Sequence, residues 1–439
     1  MKKRMMKLGA LMALVVFTAI GADKGIMIEG RVDCPVIAHH GGKVYLQIAI
    51  TAPQTEVRRR GPMNLAVVLD RSGSMADEGK IDYAKKAVSA LIDQLREDDL
   101  FSLVIYDDVI TVLREARRVG SKRELRGLLD DISPRGATNL GGGLIEGLRQ
   151  AEQHRGSEYV NRVILLSDGL ANRGTTDPYE LRRIAQRYRS RSISITTIGV
   201  GLDYNENLMM GLAESGGGNY YFVESPGSLV SIFRRELEGF ASVVAQNASI
   251  ELTLARGVRV HDIIGCEHRW ESGHVTIPVG DLYSGERREI TVELDVPPGT
   301  GRLNLAKGVL RHDGPTGWFE SWPSFATSIR YTKDFAEINK SRDGETQAKV
   351  DVALSTRKVE NALRALDEGR QGEAVMEIKA AQASISTSLA SNSAGSATSV
   401  LVEQKKALQD FERLLKDSTD SKRVKKSIQF ENYRTQKRK

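Results

Sequence analysis

At 439 residues the chain is too long for one simple hydrophobic core, and two or three domains are expected. Forty per cent apolar and 27 per cent charged residues exclude both a disordered chain and a membrane-embedded one. The formal charge of +6 sits at the two ends: Lys2, Lys3, Arg4 and Lys7 at the start, and eight basic residues against the single acid Glu431 over 421–439. The body between them is mildly acidic.

Residues 1–22 read as an export signal. The basic start precedes an apolar run from Leu8 to Ile20, and the small residues Ala19, Gly21 and Ala22 offer a cleavage point. The run is short for a membrane span, so an uncleaved anchor is the lesser alternative. No later stretch is long and apolar enough to cross a bilayer. The expected mature chain is exported: periplasmic, secreted or associated with the cell envelope.

The next segment, KVYLQIAIT at 43–51, has strand character. From residue 62 to 241 the pattern changes. Continuous apolar runs at 64–70, 100–106, 162–168 and 192–200 suit parallel strands buried on both faces. Ile81, Ala84, Val88, Leu91, Ile92 and Leu95 recur at helical spacing between the first two. Further helices are expected at 121–131, 139–154, 178–190, 205–214 and 226–240. This alternation defines an α/β fold with a doubly wound, mostly parallel sheet.

Strand patterns return at 248–254, 274–279, 288–296 and 302–312, punctuated by PPGTG at 297–301. Antiparallel β on both sides of an α/β unit implies that 23–61 and 242–332 form one β-sandwich with residues 62–241 inserted in it. Cys34 and Cys266 lie one in each flank, and a disulfide between them is the expected state of an exported chain. A zinc site with His39, His40, His268 and His274 is the alternative, although the spacing fits no compact ligand pattern. Residues 333–420 form a helical region, with helices at 345–369, 371–390 and 398–416, expected to pack or dock. The basic tail, 421–439, reads as a solvated end that could touch an anionic surface. Nucleic acid is not expected as a partner.

Three short motifs converge on one chemistry. Asp70 ends the first buried strand in DRSGS, followed by Ser72 and Ser74 in the turn before a helix. Asp168 ends another strand in LLSDG, and Thr138 lies in the glycine-rich GATNLGGG loop that opens a helix. A doubly wound sheet delivers all of them to the carboxyl ends of its strands, where ligands bind. Singly, each residue reads as a helix cap or turn residue; five at one edge point to a shared ligand. Their donors are all oxygen, which favours a hard divalent cation, Mg²⁺ first and Mn²⁺ or Ca²⁺ after it. Asp77 and Glu78 read as ordinary first-turn acids and are left out of the site.

DRSGSM at 70–75, GATNLGGGL at 136–144 and LLSDG at 165–169 resemble the metal-ion-dependent adhesion site of von Willebrand factor A domains. With its β flanks, the chain is similar to exported bacterial relatives of the inter-α-trypsin-inhibitor heavy chains. The resemblance implies that Ser72, Ser74 and Thr138 bind the metal directly, with Asp70 and Asp168 acting largely through water. It further implies a protein partner presenting Asp or Glu to the cation, and an adhesion role. The alternative is an accessory subunit that recruits an acidic partner to a separate enzyme complex. A nucleophile elbow, a His-Glu-x-x-His helix and a phosphate-binding loop are all missing from the sequence, and no enzymatic activity is expected.

Overall fold

The computed structural model describes residues 25–437, apart from 55–60, 157, 267, 272, 314–321, 392–395 and 418–419. The expected leader lies outside these residues. The chain opens with three strands, β1 (Met27–Val32), β2 (Val36–Ala38) and β3 (Gly42–Thr51). It then enters the α/β unit through β4 (Met63–Asp70), α1 (Lys80–Gln94), β5 (Leu100–Tyr106), β6 (Ile110–Arg118) and α2 (Lys122–Gly127). The unit continues with α3 (Leu140–Gln153), β7 (Val160–Ser167), α4 (Pro178–Arg189), β8 (Ile193–Val200), α5 (Glu206–Gly216), β9 (Gly217–Val223) and α6 (Leu229–Ala241).

The sheet order is β6-β5-β4-β7-β8-β9, parallel throughout except for the antiparallel edge strand β6. Every residue of β4, β5, β7 and β8 is buried, which is why these strands are apolar without alternation. Leu65, Val67 and Leu69 face one core with α1 and α6; Ala66 and Val68 face the other with α3, α4 and α5. The strand period of two thus divides one strand between two cores. Edge strand β6 was not expected from the sequence. Its ITVLREARR is half charged, which suits a strand with one side open to water.

Chain flanks on both sides of the α/β unit share a sandwich. Strands β10 (Val243–Leu254), β11 (Arg259–Ile264), β12 (Arg269–Glu271), β13 (His274–Tyr283), β14 (Arg287–Val296), β15 (Arg302–Asp313) and β16 (Ser324–Thr332) follow α6. One sheet runs β1-β3-β14-β11, the other β12-β13-β10-β15-β16-β2. Their facing residues, among them Leu46, Ile48, Ile250, Ile277, Val292 and Leu310, form a separate buried core. The α/β unit is therefore an insertion between β3 and β10.

A buried polar joint fixes that insertion. Arg162 of β7 places Nη2 2.6 Å from Asp281 Oδ2 of β13, with Tyr283 Oη 3.4 Å away and the Phe240 ring 4.5 Å from the guanidinium carbon. Asp281 also accepts from Ser194 Oγ (3.0 Å) and the Asn247 backbone N–H (3.0 Å). Both charged side chains are buried, so the pairing offsets a desolvation cost that neither could bear alone.

The expected disulfide is corrected by the fold. Cys34 follows β1 and Cys266 follows β11, at opposite edges of a four-stranded sheet. Three strand spacings, about 14 Å, separate those edges, well beyond the reach of a disulfide. Both thiols are free. Cys34 Sγ lies 3.0 Å from the Val36 carbonyl and 3.5 Å from Ser341 Oγ, while burial pushes the Cys266 thiol pKa up. The same separation removes a zinc site shared by the two cysteines. Their position in one sandwich was read correctly, but not their pairing.

The helical region comprises α7 (Phe335–Ser341), α8 (Gly344–Asp367), α9 (Gln371–Ser391), α10 (Ser396–Asp417) and α11 (Ser421–Lys437). The basic tail is corrected too: it is helix α11, not a solvated end. Val424, Ile428 and Tyr433 are buried along it. The Tyr433 ring meets Tyr220 edge-on at 5.8 Å, and its hydroxyl accepts the Tyr220 backbone N–H at 3.2 Å. Lys425 bridges Glu206 and Asp367, and Lys426 pairs with Glu206 while donating to the Tyr204 carbonyl at 2.7 Å. The tail's charge is thus partly neutralised within the molecule. Among the described residues, no helix is long and apolar enough to cross a membrane.

Candidate metal centre

The parallel strands β4 and β7 end side by side, and their next residues build one cluster. Asp70, the last residue of β4, accepts the Ser72 backbone N–H on Oδ1 (2.8 Å) and Ser167 Oγ on Oδ2 (2.7 Å). The chain then turns through a short 3-10 segment, Gly73–Gly79, before α1 begins. In that turn Ser72 Oγ and Ser74 Oγ approach to 3.2 Å, and Ser74 Oγ donates to Asp168 Oδ1 at 2.8 Å. Asp168 Oδ2 receives the Lys80 ammonium at 2.9 Å. Both aspartates are fully buried; Ser74 is partly open.

Thr138 reaches the cluster from a different loop. Its backbone N–H donates to Asn172 Oδ1 (2.9 Å), and Asn172 returns its own N–H to the Thr138 carbonyl (3.1 Å). The loop before α3 is thereby stapled to the loop after β7. Gly169 shows what this brings together. A Cβ at that position would lie 3.1 Å from Thr138 Oγ1 and 3.5 Å from Ser74 Oγ. The glycine leaves open a space on which the hydroxyls of two loops converge. Asn139 caps α3 by accepting the Gly142 N–H at 3.0 Å, and a Cβ on Gly141 would meet the Thr175 carbonyl at 2.2 Å. The glycine run therefore lets α3 seat closely against the loop before α4.

Electrostatically the cluster is short of positive charge. Burial pushes the Asp70 carboxyl up to about 6, against hydrogen bonds from Ser72 and Ser167, with the Asp168 charge adding to the rise. Asp107 stands behind the loops in a different state. Its Oδ2 is 2.8 Å from Arg71 Nε and 2.8 Å from Arg135 Nε, and its Oδ1 accepts the Val109 N–H at 2.7 Å. Burial opposes ionisation there too, but the Arg135 hydrogen bond, the Val109 N–H and the Arg71 charge together hold the carboxyl below its usual range. These arginines are committed to Asp107 and tie the Ser72 loop to the Thr138 loop.

The five residues singled out in the sequence lie at this one sheet edge: hydrogen bonds link Asp70, Ser72, Ser74 and Asp168, and Thr138 comes up beside Gly169 from the loop before α3. The donor set is entirely oxygen, and two buried carboxylates face one buried ammonium. A hard divalent cation fits such a set. Lys80, Ser167, Asn172 and the Arg71–Asp107–Arg135 frame were missed. Arg71 and Ser167 stand inside the motifs themselves, where they passed for spacers; Lys80 lies six residues beyond Ser74 with no local pattern to mark it.

A mostly parallel sheet with one antiparallel edge, carrying Asp-x-Ser-x-Ser after one central strand and an Asp after its neighbour, defines a von Willebrand factor type A domain. The family profile for that domain matches residues 64–235. The inserted unit of this chain belongs to the von Willebrand factor type A family. Escherichia coli (strain K12) YfbK is 26% identical over 283 residues, covering 63% of this chain and 49% of that protein. Inter-alpha-trypsin inhibitor heavy chain H3 of Mesocricetus auratus is 27% identical over 194 residues, covering 42% of this chain and 21% of its own length. The chain thus spans half or less of these relatives. A von Willebrand factor type A structure from Catenulispora acidiphila shares the fold over 95% of this chain and 98% of its own, with a TM-score of 0.71 at 15% identity.

Proposed function

We propose that this chain is a metal-dependent protein-binding module of the cell envelope. Ser72, Ser74 and Thr138 hold a divalent cation, Mg²⁺ first, with Asp70 and Asp168 behind them. The cation supplies a Lewis-acidic contact for an Asp or Glu side chain of a partner protein. The observation that carries this reading is the convergence of Ser74 Oγ and Thr138 Oγ1 on the space left by Gly169.

The chain's own residues explain why such a contact favours an anion. Three neutral hydroxyls withdraw little charge from a cation, so a carboxylate is preferred where the protein leaves coordination open. Asp70 and Asp168 are held by Ser72, Ser167, Ser74 and Lys80, which fixes their geometry before any partner arrives. Around the edge, Leu170 and Val109 are each 57% exposed, and Arg173, three residues after Leu170, is exposed too. An acidic side chain with an apolar neighbour is the complementary partner surface. Export is inferred from the basic and apolar start of the sequence.

The test is capture on immobilised full-length chain. Partners are expected to bind in Mg²⁺, to elute in chelator, and to be missing from Asp70→Ala. Equal capture by Asp70→Ala and in chelator would overturn the metal bridge.

A further inference from the structure

Lys80 opens α1 and is 6% exposed, an unusual place for a lysine. Its ammonium lies 2.9 Å from Asp168 Oδ2. The loop after β8 covers its stem: a Cβ on Gly201 would stand 3.3 Å from Lys80 Cε and 3.4 Å from Nζ. A buried ammonium is held only by a partner of opposite charge, and here that partner belongs to the candidate metal centre.

The consequence follows from which oxygen is used. Asp168 gives Oδ1 to Ser74 and Oδ2 to Lys80, so the carboxylate cannot rotate between them. Asp70 and Asp168 with Lys80 carry one net negative charge; a divalent cation brings this to one net positive charge. Without the lysine the totals would be two negative and zero. Arg71 and Arg135 make their ion pairs with Asp107 and not with either aspartate of the cluster, so removing Lys80 changes the total by one charge whatever they contribute.

We propose that Lys80 is a positioning residue that trades cation affinity for electrophilicity. It fixes Asp168 and weakens the cluster's hold on the cation, while leaving the loaded site positive toward an incoming carboxylate. The inference rests on the metal-binding reading given above.

Mn²⁺ binding to the full chain, read from free Mn²⁺ by electron paramagnetic resonance, tests it. Wild type is expected to bind one ion that the double variant Ser72→Ala, Ser74→Ala loses. Lys80→Met is expected to bind Mn²⁺ about tenfold more tightly, because a buried positive charge close to the ion has been removed. Lys80→Gln keeps a donor for Asp168 Oδ2 but not the charge, and is expected to bind as tightly as Lys80→Met. A merely structural lysine would make both variants bind more weakly, and a hydrogen-bonding role alone would leave Lys80→Gln at the wild-type affinity; either result overturns the proposal. Loss of the native fold in both neutral variants overturns it as well. No Mn²⁺ binding by wild type would instead remove the metal-binding reading itself.

Discussion

Strand β7 carries a buried ion pair at each end, and the two differ instructively. At its start Arg162 meets Asp281 of the sandwich; just past its end Asp168 meets Lys80. Both pairs are shielded from water. At the first, Asp281 accepts from the Arg162 guanidinium, Ser194 and the Asn247 N–H, and the buried Glu236 adds its charge nearby. At the second, Asp70 adds a further carboxylate without a further cation, and hydroxyls converge on open space. The first pair lies at the joint between the domains; the second lies at the edge proposed to hold the cation.

The comparison breaks most clearly at the joint. Asp281→Ala would break the buried pair and leave Arg162 only the charge of Glu236 nearby, at a cost of roughly 3–5 kcal/mol. Thermal unfolding should fall accordingly, and an unchanged midpoint would show that the domains are held by apolar contact alone. Asp70→Ala should act on binding more than on stability. It is expected to remove Mg²⁺ dependence while destabilising the metal-free chain little, since it relieves a carboxylate that burial disfavours. In wild type, Mg²⁺ at a hundred times its dissociation constant should add about 2.7 kcal/mol, read as a chelator-reversible rise in the midpoint.

A third, smaller effect concerns the helix packed against the same domain. Burial would raise the Glu206 pKa, but hydrogen bonds from Lys425 and Lys426 hold it below its ordinary value of 4.5. A depressed carboxyl stabilises the folded state above that ordinary value, and the contribution is lost as pH falls through the lower folded one. Asp203, lowered chiefly by Lys422, acts with the same sign. Amide protection in α11, taken relative to the intrinsic exchange rate, should therefore fall on acidification below about pH 4.5, ahead of the sandwich strands; protection that falls in both together would refute local undocking. The smallest expectation is a null one. Reductant should leave the unfolding midpoint unchanged, because Cys34 and Cys266 are not bonded.

What could be read in advance follows from the physics of each element. Strands β4, β5, β7 and β8 are buried on both faces, and burial on both faces writes itself as an unbroken apolar run. The convergence of Asp70, Ser72, Ser74, Thr138 and Asp168 on one edge was legible because strand ends and glycine loops meet there in any doubly wound sheet. Helix α11 was hidden by its own charge. Val424 and Ile428 follow helical spacing, but the acids that neutralise Lys425 and Lys426 come from Glu206 and Asp367, far away in sequence. The cysteines failed for a related reason: sharing a sandwich says nothing about which edge each thiol occupies. Strand β9 begins Gly-Gly-Asn and borrows its order from β8, so its local pattern is silent.

The placement of Arg162 has a mechanical consequence. It and Asp168 belong to one continuous stretch of chain, six residues and about 20 Å apart when extended. A load applied at that sheet edge would be carried along β7 to the joint with the sandwich, parallel to the strands. Loaded in that direction, the seven paired positions between β4 and β7 resist together in shear instead of parting one after another. Paired in this way, β4 and β7 would separate more readily under a force across them than under one along their axis.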